Sequence, residues 1–546
     1  MRNHAIAIAI LSGHLVVLLF LDLFINPHPD MLDHWVWSRH LSLSYYEHPP
    51  MVALAIRLFT SMIGNSEFAL ELAAQAYNIS ILALSYAICY SFFGKRAAIF
   101  CLILLESIPY YLLGSVFLHI DQPFLIFWLL NLYFLCRFHQ TNSNKWLILL
   151  GITAGLGALS KYITILFYIG LFLHLLSYKE LRHHLKNPWL YLAGCISLLI
   201  FTPVLLWNYQ NDWVSFRFQF KRGLSGSPLG QNFIFFTLGH LFLFSLVWSW
   251  WGLYQLWNKR KAFVMGAQPE AVVLFISIFP LFFFSAMSLR GSIADPHWAN
   301  VAYLGIMMLS GRVLGSMWDA NQRSFIKKMV GGGAFLNIAI LIVAFIYIQH
   351  PFVEIPQYQL RYYSAFEKQG VPEEVIGKLR TLKRIPPLRK EEFLQRVAAL
   401  LSAEELQKYK TVILKIARDP NFDPVNPAIG WEQSTAELLA LLEESKLNPI
   451  DYIISKEFQL SSAFSFYLPN QPWPYSLEKP ERNQWSSMED VRNHTSILVC
   501  KPHSCSRVLR RAKKRFERDF SYLGEITTNG NGRLIRQLEV YHLNPN

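Results

Sequence analysis

The chain has 546 residues, 53% of them hydrophobic and 15% aromatic but only 16% charged, where a soluble chain of ordinary composition carries about 25% charged residues. Such an excess of apolar side chains argues against an ordinary soluble protein and for a polytopic membrane protein. The formal net charge of +13 sits largely in loops between apolar runs, so it reads as a topological signal and not as a nucleic-acid surface.

A membrane helix needs about 20 apolar residues to cross about 30 Å of hydrocarbon. On that criterion spans fall near 5–25, 69–93, 97–117, 123–138, 146–159, 162–178, 188–208, 233–257, 270–289, 298–317 and 329–349, which makes about eleven. The first, AIAIAILSGHLVVLLFLDLFI after MRNH, is too long for the apolar region of a cleaved signal and lacks a small-x-small site, so it is expected to be a retained helix. The fourth and fifth spans are short, and Ser160-Lys161-Tyr162 breaks the run between the fifth and sixth. Alternate loops carry Lys95-Arg96, Arg137 with Lys145, Lys179, Arg182 and Lys186, Lys259-Arg260-Lys261, and Arg323, Lys327 and Lys328. Basic loops stay on the cytoplasmic side. The N-terminus is therefore expected in the cytoplasm, with the loop Pro29–Pro50, Asp121, Lys161, the segment after Trp207 and everything beyond about 350 on the external face.

Composition changes after the last span. Residues 1–350 read as a membrane domain, 351–420 as a charged helical linker or insertion, and 421–546 as a small external α/β domain. EEFLQRVAALLSAEELQKYKTVILKIARD has the period of one or two amphipathic helices. Beyond it, DYIISKEF and TSILVC read as strands, SRVLRRAKKRFERDF as a basic amphipathic helix, and GEITTNGNGRLIRQLEVYHL as a hairpin turning at Asn529-Gly530-Asn531-Gly532. Cys89, Cys101, Cys136 and Cys195 lie in spans and act as small apolar residues, whereas Cys500 and Cys505 lie in the external segment CKPHSC. An oxidising compartment permits a disulfide there; the five-residue separation leaves it open.

Five segments on the external side concentrate reactive side chains: PDMLDHWVWSRHLSLSYYEHPP with Asp30, Glu47 and His48; HIDQP around Asp121; SKY around Lys161; WNYQNDWVSFRFQFKRG with Arg217, Lys221 and Arg222; and RGSIADPHW with Arg290, His297 and Trp298. An enzyme working on a lipid-linked phosphate needs this grouping, because charged groups are costly at mid-bilayer and must meet the headgroup at the interface. Transfer of a sugar from a polyprenyl phosphate requires a general base for the acceptor, which contributes about 10²–10⁴-fold. It also requires cations for the departing phosphate. Asp30 and Asp121 can meet the first need; Lys161, Arg217, Lys221, Arg222 and Arg290 can meet the second. FRFQFKRG places three of these cations externally, against the basic-inside bias.

Six ordered stretches, PDMLDHWVWSRHLSLSYYEHPP, GNSEFALELAA, HIDQPFLIFW, GLGALSKYITILF, WNYQNDWVSFRFQFKRG and DPHWANVAYL, resemble the bacterial branch of the protein O-mannosyltransferase-like glycosyltransferases. These are integral-membrane enzymes of the GT-C fold, similar to the aminoarabinose and galacturonic acid transferases of lipid A. The resemblance covers most of 1–350, and DYIISKEFQLSSAFSFYLPNQ with the final hairpin resembles the external domain of the same branch. It implies a polytopic α-helical GT-C protein with a small C-terminal external α/β domain, lodged in a bacterial inner membrane. It implies that Asp30 is the first-loop aspartate acting as general base and Asp121 the second external aspartate, positioning the acceptor or a cation. Lys161, the Arg217–Arg222 cluster and Arg290 would hold the donor phosphate, with Glu47, His48, His297 and Trp298 lining the site. The expected partners are a polyprenyl-phosphate sugar, a lipid A, glycan or protein acceptor, and membrane lipids, with no nucleic acid. No cofactor is certain, and a divalent cation is left open. The chain reads Asp30-Met31 where the family has an Asp-Glu pair, Glu47-His48-Pro49-Pro50 where it has Asp-His-Pro-Pro, and Glu71 where it has an arginine.

Plainer roles exist for each residue. Asp121 before Gln122-Pro123 could cap a helix, Lys161 could snorkel to the interface, and Trp35, Trp37, Trp213 and Trp298 fit an aromatic belt. His48 and His297 lack paired metal-ligand spacing and suit hydrogen bonding better. His14, Glu106, His174 and His240 lie in or near spans and support a rival reading as a lipid or solute transporter. A non-catalytic membrane scaffold is the second rival.

Overall fold

The computed structural model describes residues 4–224, 231–263, 268–292, 294–350, 357–358, 366–367, 369–382, 390–419, 425–502, 504–530 and 533–544. The chain forms two compact units, one made of Met1–Leu23 and Trp37–Ile342, the other of Phe24–Val36 and Val343–Asn546.

The first unit is helical, and a helix stands at the place of every expected span. Among the described residues six helices are long and apolar enough to cross a membrane, Ala5–Asp22, Glu67–Phe93, Pro188–Gln210, Pro269–Leu289, Pro296–Asp319 and Arg323–Gln349, and the number rises to eight if two bent pairs each count as one span. The pairs are Lys95–Glu106 with Pro109–Val116, bent by 82°, and Asn232–Leu243 with Val247–Asn258, bent by 103°. Pro109 stands at the start of the second helix of its pair, where its missing N–H costs nothing, but it cannot continue the hydrogen-bond ladder of the preceding helix. The count of about eleven expected from apolar length also included Asp121–Thr141, Lys145–Ala158 and Ile165–Ser177. The last two have only 14 and 13 residues, and the first mixes Asp121, Asn131, Arg137 and His139 into its apolar run. A further helix, Met51–Ile63, has no counterpart among the expected spans: it buries Val52, Ala53, Ala55, Ile56 and Thr60 and exposes Leu54 and Leu58. Thirteen residues are too few to span, so a search for apolar length passes over it.

Small residues let the helices of this unit approach closely, as is common inside membranes. A Cβ on Gly151 would lie 2.6 Å from the Ala193 carbonyl oxygen, and one on Gly311 would lie 2.5 Å from that of Ala97. Gly311→Ala is therefore expected to lower thermal stability in detergent by about 1–3 kcal/mol through overpacking. Gly331, where a Cβ would meet nothing within 4 Å, should accept alanine with no loss, because alanine is the better helix former; equal melting of the two variants would refute the close contact. Of the ionisable side chains noted within spans, His14, Glu106 and His240 pair across helices. His14 Nδ1 lies 2.8 Å from Glu106 Oε2, and His240 Nδ1 lies 2.9 Å from the Tyr303 hydroxyl.

In the second unit, β1 (Gln357–Tyr358) pairs antiparallel with β2 (Arg418–Asp419). The amphipathic stretch between them folds as two helices, Lys390–Ala398 and Ala403–Ala417. Ser402 and Glu405 separate them by a reciprocal cap: Glu405 N donates to Ser402 Oγ at 3.2 Å and Ser402 N to Glu405 Oε2 at 2.7 Å, which starts a new helix. With Glu373–Arg380 they enclose Phe366, Ile376, Leu379, Phe393, Val397 and Ile413. The rest is a five-stranded sheet of order β4-β3-β5-β7-β6, with β3 (Tyr452–Ser455) parallel to both β4 (Trp473–Ser476) and β5 (Ser496–Cys500). Strand β7 (Arg533–Leu543) runs antiparallel to β5 and to β6 (Phe520–Gly530). Asn531 and Gly532 of the expected hairpin turn lie outside the described residues. Cys500 and Cys505 form a disulfide. Residues 24–36 join this unit through Asn26 N to Ala428 O at 2.9 Å and an edge-on contact of Trp35 with Phe466 at 5.0 Å.

Candidate active site

Asp121 opens the helix Asp121–Thr141 as its first residue, with Ile120 as the cap, so its carboxylate sits where the helix dipole favours negative charge. It is 2% exposed. Lys161 lies in the break after Lys145–Ala158, held extended (φ −155°, ψ 132°) by its N–H to Gly157 O at 2.9 Å and by Thr164 N to its own carbonyl at 3.1 Å. That break turns the side chain inward, and the Lys161 ammonium donates to Asp121 Oδ1. The other carboxylate oxygen accepts from Tyr110 OH at 3.3 Å and lies 3.6 Å from His119 Nδ1 and 4.0 Å from His297 Nε2. Tyr110 is fixed in turn by Asn300 Nδ2 at 2.8 Å. Two opposite charges taken out of water together compensate each other, whereas either left alone would be costly. Among the described residues the Lys161 ammonium donates to Asp121 alone, which leaves two of its three N–H donors for an incoming anion.

The loop and helix around this pair carry other residues expected from the sequence. Met51 N donates to Leu159 O at 3.1 Å, tying the end of Glu47-His48-Pro49-Pro50 to the break that holds Lys161. The Tyr162 hydroxyl lies 2.8 Å from Ser215 Oγ and 3.5 Å from Ser44 Oγ. On the helix Val214–Leu224, Gln219 Nε2 donates to the Glu47 carbonyl at 2.6 Å, and Arg222 Nη2 donates to Asp295 Oδ2 at 2.6 Å. The Arg222 guanidinium also lies 4.7 Å from the centre of the Trp298 ring. Asp295 and Trp298 flank His297, so the chain of contacts runs from Arg222 to the Asp121 carboxylate.

The structure thus brings Asp121, Lys161 and His297 together, places Arg222 against Asp295 and Trp298 beside them, and ties the Glu47 carbonyl to the helix that carries Arg222 through Gln219, while the His48 carbonyl accepts from Tyr45 N at 3.1 Å within its own loop. Arg217, Lys221 and Arg290 are exposed and make no such link among the described residues. Asp30 belongs to the second unit, in the first turn of Pro29–Arg39; it accepts from Gln459 Nε2 at 3.2 Å and lies 3.7 Å from His28 Nδ1. Three residues on, Asp33 is buried and accepts from Ser462 Oγ at 3.1 Å, with Arg482 Nη2 at 3.7 Å. Trp35 and Trp37 are 0% and 3% exposed, and Trp37 stacks on Tyr45 at 4.5 Å, so they pack the interior instead of forming an aromatic belt. Tyr110, His119, Asp295 and Asn300 were not singled out from the sequence. For His119 and Asp295 a signal existed, each standing two residues before a chosen residue in the same turn. Among the described residues no group of three or more His, Cys, Asp or Glu side chains is arranged to hold a metal ion.

This architecture is that of the GT-C membrane fold. It overlays on the crystal structure of ArnT from Cupriavidus metallidurans bound to undecaprenyl phosphate with a TM-score of 0.62 at 16% identity, covering 98% of both chains. The apo state of the same protein gives 0.60 at 17% identity, covering 98% of this chain and 97% of that one. In sequence, residues 47–207 match the family described as dolichyl-phosphate-mannose-protein mannosyltransferase. A lipid A galacturonosyltransferase, RgtD of Rhizobium johnstonii, is 23% identical over 307 residues, 54% of this chain and 62% of the relative. The match therefore spans less than two thirds of that relative's length. The resemblance read from the six ordered motifs is present in sequence and in fold.

Proposed function

We propose that the chain is a glycosyltransferase that takes a sugar from a polyprenyl-phosphate carrier and passes it to an acceptor at the outer face of the bacterial inner membrane. Lipid A is the favoured acceptor because the sequence relative acts on it. The observation that carries the reading is the buried Asp121–Lys161 pair, an ammonium presented with donors to spare in a fold shared with a protein crystallised on undecaprenyl phosphate. On this reading Lys161 holds the donor phosphate and stabilises the charge that grows on it as the glycosidic bond breaks. Asp121, steadied by Tyr110 and Asn300, orients that ammonium. Asp30, the counterpart of the first-loop aspartate by its motif, takes the proton of the acceptor hydroxyl or amine as its oxygen or nitrogen attacks the anomeric carbon in an inverting displacement. Mass spectrometry of envelope lipids from cells with and without the protein tests it. A lipid A species heavier by one sugar only when the protein is present is expected; unchanged lipids and glycoproteins would contradict it.

On the same reading Arg222 belongs to the donor site, which its contacts with Trp298 and Asp295 support. A lysine cannot reproduce a planar, paired set of donors. Arg222→Lys and Arg222→Ala should both weaken apparent donor affinity at any salt concentration and leave acceptor affinity nearly unchanged. Simple attraction to anionic lipid would instead be screened by salt and spare the lysine variant; that outcome, read from donor titrations in detergent, would remove Arg222 from the site.

A further inference from the structure

The helix Cys505–Phe516 of the second unit has the sequence CSRVLRRAKKRF and buries Cys505, Val508, Ala512 and Phe516 against the sheet. Its other side exposes Arg507, Arg510, Arg511, Lys513 and Lys514. Arg507, Arg510, Arg511 and Lys514 are spaced i, i+3, i+4 and i+7, so they form one stripe along the helix. Stability does not account for that stripe. Like charges four residues apart oppose helix formation, and a cation in the first turn, where Arg507 stands without any acidic residue, opposes the helix dipole. Nor is the charge neutralised: Lys513 pairs with Asp519 at 2.7 Å and Arg511 donates to the Glu478 carbonyl at 3.3 Å, but among the described residues no carboxylate pairs with Arg507, Arg510 or Lys514. The disulfide between Cys500 and Cys505 anchors the start of the helix to β5, so the stripe is presented on a rigid support.

We infer that this stripe docks on the phosphate headgroups of anionic lipids at the membrane surface. Three of its four cations are arginines, which suit phosphate oxygens through paired donors. The apolar face of the helix is already committed to the domain core, so the contact is electrostatic and lies on the surface without insertion. The longer segment of the unit, Val343–Asn546, begins within the helix Arg323–Gln349 that is long and apolar enough to cross a membrane. The lipid surface is thus tethered to it at high effective concentration. The inference does not rest on the glycosyltransferase reading, and its test needs no sugar donor.

The full-length protein is placed in nanodiscs of phosphatidylcholine alone or with about one third phosphatidylglycerol, and lysine acetylation by uncharged N-hydroxysuccinimide acetate is followed by mass spectrometry. Lys514 should react several-fold more slowly in the anionic discs relative to Lys446, an exposed lysine of the same unit. The protection should vanish in about 1 M salt, where the screening length falls to about 3 Å, and in an R507Q/R510Q/R511Q variant. Equal Lys514 reactivity in the two kinds of disc would overturn the inference. So would protection seen only in neutral discs supplied with a soluble phosphorylated glycan, which would make a free polyanion the occupant.

Discussion

Lys161→Met should lower sugar transfer by about two to three powers of ten, the loss typical when one positioned donor to a developing anion is removed. The same substitution leaves the Asp121 carboxylate buried with no cation, which costs about 3–5 kcal/mol when one partner of a buried pair is removed. Both effects are measurable, and they separate under a second substitution. In Lys161→Met combined with Asp121→Leu, no uncompensated charge remains, so thermal stability in detergent should return toward the original value, while transfer and donor affinity stay lost. Recovery of transfer together with stability would mean that the pair only holds helices together.

Asp30→Asn should lower transfer by about two to four powers of ten, because asparagine keeps size and hydrogen bonding but cannot accept a proton. Asp30 accepts from Gln459 at 3.2 Å and is partly open to solvent, so the exchange should neither disturb insertion nor lower the yield of folded protein. Donor affinity should be unchanged, since binding of the phosphate is assigned to Lys161 and Arg222. Near-normal transfer by well-folded Asp30→Asn protein would move the base elsewhere. Asp33 gives the contrast. It is buried and bonded to Ser462, so Asp33→Asn should act first on stability.

The membrane character, the C-terminal α/β fold and the residues Asp121, Lys161 and His297 were legible in the sequence because each has a local signature. Apolar length marks spans, alternation and turn residues mark strands, and a lysine or carboxylate next to an apolar run stands out against it. Two of the side chains that steady Asp121 were not legible. Tyr110 and Asn300 lie 11 residues before it and far after it, brought in by packing of separate helices, and no periodicity connects them. The grouping of residues 24–36 with the C-terminal unit rests likewise on bonds such as Ser462 to Asp33, which span 429 positions. Strand β4, Trp473–Ser476, is four residues long and carries a proline, which in a sequence argues against a strand; here it is an edge strand, where a missing N–H is tolerated. Arg217, Lys221 and Arg290 were chosen for charge and motif alone, and charge does not say which way a side chain points. Among the described residues of the helix Val214–Leu224, it is Arg222 that meets Asp295 and Trp298.

The most direct measurement is transfer by the purified chain in detergent, given a polyprenyl-phosphate sugar and lipid A. The account predicts lipid A heavier by one sugar and an equal amount of freed polyprenyl phosphate, with neither formed by Lys161→Met or Asp30→Asn protein at detectable rate. Intact donor and acceptor after incubation with folded protein, combined with movement of either lipid across a proteoliposome membrane, would contradict it and establish transport without chemistry.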